Sequence, residues 1–201
     1  MFKKRSAQRV NTTQVKATRV QIMSLIKGLL LCTLVLVGAC QSTSTQPPLR
    51  TEAFVDLNRF AGDWYVIANI PTFIETDAYN AIESYEKPVD GKIATTFTFN
   101  KGGFEGEKKT YQPMGFVREN TGNAVWGMQF IWPIKAEYRV VYVDDDYAFT
   151  IIGRTKRDYV WLMARQPIIA DADYQRLLSI IKEEGYDLAK LRRVPQQAKS
   201  Q

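Results

Sequence analysis

The chain has 201 residues, 27 Lys and Arg, 21 Asp and Glu, and no histidine, a length for one domain with a short appendage. The missing histidine excludes a Ser-His-Asp triad, a Cys-His pair and histidine-ligated zinc. Both cysteines, Cys32 and Cys40, lie near the start, so the folded part has no cysteine cluster. The net charge of +6 belongs to residues 1–39, which hold seven cations and no acid; the remainder has 20 cations against 21 acids. That remainder has no basic excess of the kind nucleic acid attracts.

The first element is an apolar run over residues 28–39, too short for a transmembrane helix of about 20 residues. It reads as the hydrophobic region of a secretion signal, with Lys27 on its cytoplasmic side. Met23 begins a stretch that forms a complete signal by itself, so residues 1–22 read as an extension. The run ends in Leu36-Val37-Gly38-Ala39-Cys40, which resembles the lipobox of bacterial lipoproteins. The resemblance implies that residues 1–39 are removed and that Cys40 carries the lipid. Residues 40–55 are then expected as a flexible tether, and residues 56–201 as the folded domain. Gln41, following the cysteine, implies the outer membrane and its periplasmic side.

Eight strands are expected next: 63–68, 81–86, 92–99, 108–117, 123–130, 138–143, 147–153 and 159–164. They are rich in Tyr, Phe, Trp, Val, Ile and Thr and are separated by short turns such as Asp90-Gly91 and Gly102-Gly103. Short connections force antiparallel neighbours, so the expected fold is all-β: an eight-stranded up-and-down antiparallel barrel without exposed edges. The period then changes. Tyr174, Leu177, Leu178 and Ile181 have helical spacing, with Asp171 able to cap the start and Gly185 the end. This is one C-terminal helix packed outside the barrel.

Gly62-Asp63-Trp64 resembles the Gly-x-Trp signature of the lipocalin family. Asp145-Asp146-Tyr147 stands where lipocalins carry a second signature, usually Thr-Asp-Tyr, and here lacks the Thr. Trp161-Leu162-Met163-Ala164-Arg165 resembles the third. The three occur in order, and with the lipobox the chain is most similar to the lipoprotein-anchored lipocalins of bacteria. Gly62 allows a tight turn into the first strand. Trp64 is expected to plug the closed end, with Arg165 lying across its indole. Asp146 and Tyr147 complete the structural set.

Alternation along strands places Val66 and Ala68 inside on the first strand, and Trp161 and Met163 on the last. Ile93, Thr95, Phe97 and Phe99 share a face of the third strand, and Trp126, Met128 and Phe130 a face of the fifth. On the sixth, Tyr138, Val140 and Tyr142 share the face opposite the charged Arg139, so they are placed inward. The facing of Glu83 stays open. Arg154, Lys156 and Arg157 belong to the mouth, where they can meet a phosphate headgroup.

An apolar lining suits a fatty acid, a lysophospholipid or a similar amphiphile, bound by a membrane-anchored carrier of the cell envelope without metal or cofactor. Two alternatives remain. One is a lipocalin-like enzyme, with Glu83 and an inward tyrosine as acid–base groups. The other is a dimer formed through an outer patch of Val125, Gly127, Val141 and Val143. A monomer or a homodimer fits the carrier reading.

Overall fold

A computed structural model describes residues 46–198. The expected signal segment, Cys40 and the first part of the tether lie outside these residues. The chain enters along the barrel's outside, with Leu49 and Val55 buried and the Glu52 amide donating to the Val140 carbonyl. Residues 46–55, expected within the tether, are therefore part of the packed domain.

A single helical turn, α1 (Leu57–Phe60), follows, its first amides capped by the Asp56 carboxylate. Gly62 has φ of +97°, a conformation glycine adopts without a Cβ penalty. It turns the chain into β1 (Gly62–Ile70). The strands β2 (Ala78–Tyr85), β3 (Lys92–Lys101), β4 (Lys108–Tyr111), β5 (Met114–Val117), β6 (Val125–Ile131), β7 (Ile134–Val143), β8 (Phe149–Gly153) and β9 (Val160–Ala164) follow. β4 and β5 are two halves of one strand, both paired with β3 and separated at Gln112-Pro113. Proline has no amide to donate to a ladder, so the strand breaks there. All neighbours are antiparallel, and β9 pairs back with β1 to close an eight-stranded barrel.

Helix α2 (Asp171–Glu183) buries Tyr174, Leu177 and Ile181 against Tyr65, Ile67, Val141, Ile151 and Leu162 on the outer wall. Asp171 does not cap it: Ala170 holds the cap position without a side-chain bond, and Asp171 pairs with Arg193 at 3.4 Å. Gly185, at φ of +85°, ends the helix with its amide on the Lys182 carbonyl. The chain returns as β10 (Arg192–Arg193), which pairs with Ala68 and Asn69 of β1.

Two bulges reverse the expected alternation. The register of β7 on β8 shifts between Val140 and Tyr142. Val140 stays in the inner cluster, but Val141 and Tyr142 both join the outer one and Val143 turns inward. Tyr142, expected in the lining, instead lies under α2, where its hydroxyl accepts from Arg176 at 2.9 Å. The register of β1 on β9 likewise shifts between Val66 and Ala68, and Ala68 packs with the outer cluster. An extra residue in one strand moves every later side chain to the opposite face. The same change removes the expected dimer patch: Val141 is covered and Val143 faces the interior.

Candidate functional site

The barrel has one sealed end and one open end. At the sealed end Trp64 is fully buried, its indole N–H donates to the Phe60 carbonyl at 2.8 Å, and its ring lies 5.1 Å from that of Phe60. The Arg165 guanidinium sits 3.8 Å from the Trp64 ring centre. It donates to the carbonyls of Asp63, Arg59, Phe60 and Ala61 at 2.7–3.0 Å, gathering the end of α1 onto the start of β1. Tyr147 completes the seal by accepting the Asp56 amide at 2.8 Å. Asp146, expected beside it, is exposed. The turn is held by Asp144, whose carboxylate accepts the amides of Ala148 and Phe149 at 2.8 and 2.7 Å.

Above this seal, Trp126 stacks on Tyr138 with ring centres 4.8 Å apart and meets Phe60 edge-on. Phe99 stands nearer the mouth, packed against the rings of Phe97 and Tyr111, and does not border open space. Ile93, Thr95, Val66 and Val140, buried in the same cluster as Trp126, do not border it either. They are packing of the lower half, where the sequence had placed lining. The space begins higher. It is a cavity of about 310 Å³ open to solvent at the mouth, within the range of small-molecule pockets.

Of the twelve residues expected to line it, Phe97, Met128, Phe130, Tyr138 and Trp161 do. Alternation alone did not separate wall from filling, and at Tyr142 the bulge in β7 put an expected lining residue outside. The sequence reading missed Tyr111, Ile131, Ile134, Ala136 and Tyr159. It also missed the 72–75 loop, which reaches the cavity with Thr72, Phe73, Ile74 and Glu75. Only alternation along β4 and β7 could have signalled the strand residues among these. Nothing local announces a loop that folds inward.

Glu83 faces in. It sits between Trp64 of β1 and Phe97 of β3 in the ladder. The Tyr85 hydroxyl donates to its carboxylate, and the hydroxyls of Tyr85 and Tyr138 are 2.6 Å apart. Burial pushes the Glu83 carboxyl up to about 7, against the lowering effect of the Tyr85 bond, and the nearby Glu75 charge adds to the rise. Burial and the Glu83 charge hold both phenols well above their ordinary range. Glu75, in the loop between β1 and β2, is 4% exposed. It accepts from Thr72 at 2.9–3.0 Å and from the Trp161 indole at 3.2 Å. Burial raises its carboxyl too, although those bonds oppose the rise. The cavity is therefore an apolar tube with two buried carboxyl groups in its wall, a chemistry able to accept hydrogen bonds or hold a shared proton.

The three mouth cations do not converge. Arg154 borders the cavity, but pairs with Asp158 at 3.5 Å and lies over the Tyr159 ring. Lys156 is exposed. Arg157 turns away, donating to the carbonyls of Glu184 and Pro47, where it holds the end of α2 and the incoming chain. The reason is geometric: the unsatisfied carbonyls at a helix C-terminus attract a guanidinium.

Comparison with known proteins places this architecture. A lipocalin-like domain model matches residues 55–196. The chain belongs to the lipocalin family. It is 30% identical over 154 residues to temperature-induced lipocalin-1 of Arabidopsis thaliana, covering 71% of this chain and 80% of that protein. It is 29% identical over 159 residues to the outer membrane lipoprotein Blc of Citrobacter freundii, covering 78% and 88%. Among solved structures it is similar to insecticyanin of the tobacco hornworm Manduca sexta, with a TM-score of 0.59 at 16% identity over 74% of this chain and 85% of that one. Lobster apocrustacyanin A1 gives a TM-score of 0.58 at 10% identity, over 75% and 92%. These distant structures share the barrel. The Blc similarity adds relatives named as outer membrane lipoproteins, and among the described residues no helix is long and apolar enough to cross a membrane.

Proposed function

We propose that this lipocalin holds the acyl chain of a fatty acid or lysophospholipid in its cavity, as a carrier anchored through Cys40 to the periplasmic side of the outer membrane. The observation that carries the reading is the cavity itself, open at one end and walled by Phe97, Met128, Ala136, Tyr138 and Trp161. Burying ten methylenes contributes up to about 8 kcal/mol at roughly 0.8 kcal/mol each. That leaves micromolar affinity after association costs, without a strong polar contact. Family membership and the similarity to Blc support the carrier role and the envelope location. The lipobox-like run ending at Cys40 supports the anchor.

Titration with a fluorescent fatty acid and with a lysophospholipid tests the site. Met128→Asp puts a charge in the wall, and Ala136→Phe fills the space without one. Both should lower affinity at least tenfold. Unchanged affinity in Ala136→Phe, with its melting temperature retained, would place the ligand elsewhere. Trp126 is a poor probe for this purpose, because it packs the floor and its loss would disturb the fold.

A second reading is favoured by the bonded set of Glu83, Tyr85 and Tyr138: a cavity enzyme that moves a proton on a lipophilic substrate. Glu83→Gln separates the two. A carrier keeps its acyl-chain affinity in that variant, and an enzyme loses turnover while still binding.

A further inference from the structure

Among the described residues eight large apolar side chains remain exposed, and five of them stand at the mouth. Four belong to the β6–β7 hairpin: Phe130, Ile131, Trp132 and Ile134. The fifth is Phe73, in the loop between β1 and β2. Trp132 and Phe73 are 82% and 88% exposed, values a folded domain in water rarely leaves in one cluster of aromatic and branched side chains. No element of the barrel covers them, and α2 packs on the wall through its own apolar face.

The incoming chain says what covers them. Pro47 is held by Arg157, in the loop between β8 and β9, and that loop is at the mouth. From there the chain descends the outer wall: Arg50 pairs with Glu184 at 3.2 Å, Thr51 bonds Arg139, and Val55 reaches the sealed end at Gly122. The described chain thus begins at the mouth. Only five residues lie between Cys40 and Gln46, a reach over six steps of at most about 20 Å. β1 has nine residues, so at ~3.3 Å per residue and a barrel tilt of about 40° the sealed end stands ~23 Å beyond the mouth.

We propose that the mouth of this barrel docks on the phospholipid surface that holds its anchor, with the hairpin tip at Trp132 and the loop at Phe73 inserted among the lipids on either side of the cavity opening. The placement rests on the proposed lipidation of Cys40. It makes the anchor more than a leash, since a lipid leaving the surface enters the cavity without crossing water. Exposed Trp favours the headgroup level, and Phe is among the residues that interfacial segments bury at the boundary with the acyl chains. Of the cations near the opening, Arg154 is paired with Asp158 and Lys156 is exposed, a charge that phosphate headgroups attract.

The test uses the full chain purified with its own lipid and reconstituted into vesicles of phosphatidylethanolamine and phosphatidylglycerol, 3:1. Nitroxide labels are placed singly through Trp132→Cys, Phe73→Cys and, at the exposed sealed-end residue, Val89→Cys. Accessibility is read as the ratio of collisions with oxygen to collisions with a water-soluble nickel chelate. Docking predicts a ratio at least fivefold higher at 132 and 73 than at 89, and equal ratios at the three positions in detergent-free buffer without vesicles. Equal ratios on vesicles overturn it, as does dipolar broadening at 132 showing that a second copy covers the tip. Intact mass spectrometry of the same preparation reads Cys40 independently. Lipidated protein with water-exposed rim labels sinks the docking alone. Unlipidated protein with buried rim labels sinks the anchor alone.

Discussion

The two ends of the barrel are built from the same strands and differ in nearly everything else. At the sealed end the turns are tied by bonds inside the protein, among them those of Arg165, Tyr147 and Asp144. One guanidinium serves five carbonyls and an indole, and the ring of Phe60 packs against those of Trp64 and Trp126. At the mouth the strands run out into a hairpin and loops whose apolar side chains, Phe73, Ile131, Trp132 and Ile134, are largely exposed, and the cavity opens there. The difference separates stability from function along a single axis. Changes at one end should register in melting temperature, and changes at the other in what the protein touches.

The largest expected effect is Trp64→Ala, which leaves a cavity under the floor and should cost about 3–5 kcal/mol in denaturant unfolding. A wild-type midpoint would mean that the seal is not made by this side chain.

Glu83→Gln sharpens the comparison from the middle of the barrel. The folded carboxyl titrates near 7, against 4.5 for the free group. It contributes its full stability below pH 4.5 and loses it as pH rises through 7. The variant should therefore match the wild type at pH 4 and exceed it by up to about 3 kcal/mol at pH 8. Thermal unfolding across that range checks the sign, and parallel curves would deny the buried charge. Arg165→Lys keeps the cation but not the fork that reaches several carbonyls; about 2 kcal/mol should be lost, read from the urea midpoint. Trp132→Ser, at the other end, should shift stability by less than about 0.5 kcal/mol, because the side chain is 82% exposed among the described residues. A loss comparable to that at Arg165 would show that the hairpin tip is part of the fold.

The barrel was readable because its evidence is local. Strand residues alternate, turn residues sit between them, and the change of period at Tyr174–Ile181 marks the outer helix. Gly62, Trp64 and Arg165 were readable as a set through family resemblance, and the structure joins them at the expected place. The cavity was readable only by face. Phe97 and Phe99 share a face of β3, yet one borders open space and the other is packing. Phe99 stands nearer the mouth than Phe97, but it is packed against Phe97 and Tyr111, so the distinction depends on which rings meet across strands and not on alternation along one. The inward turn of Glu75 and the diversion of Arg157 to the end of α2 were not legible, since each depends on a partner remote in the chain: Trp161 for one, Glu184 and Pro47 for the other.

Periodicity and turn chemistry determined by themselves the class of fold and its antiparallel order, and the apolar run ending at Cys40, through its resemblance to a lipobox, the expectation of an anchor. The tertiary structure alone decided which face Ala68 and Tyr142 occupy, because a bulge arises from the register between two strands and neither strand's own pattern records it. It also decided that the incoming chain starts at the mouth. That placement comes from Arg157 answering the open carbonyls at the end of a helix 27 residues further on, a demand that exists only once the helix has packed.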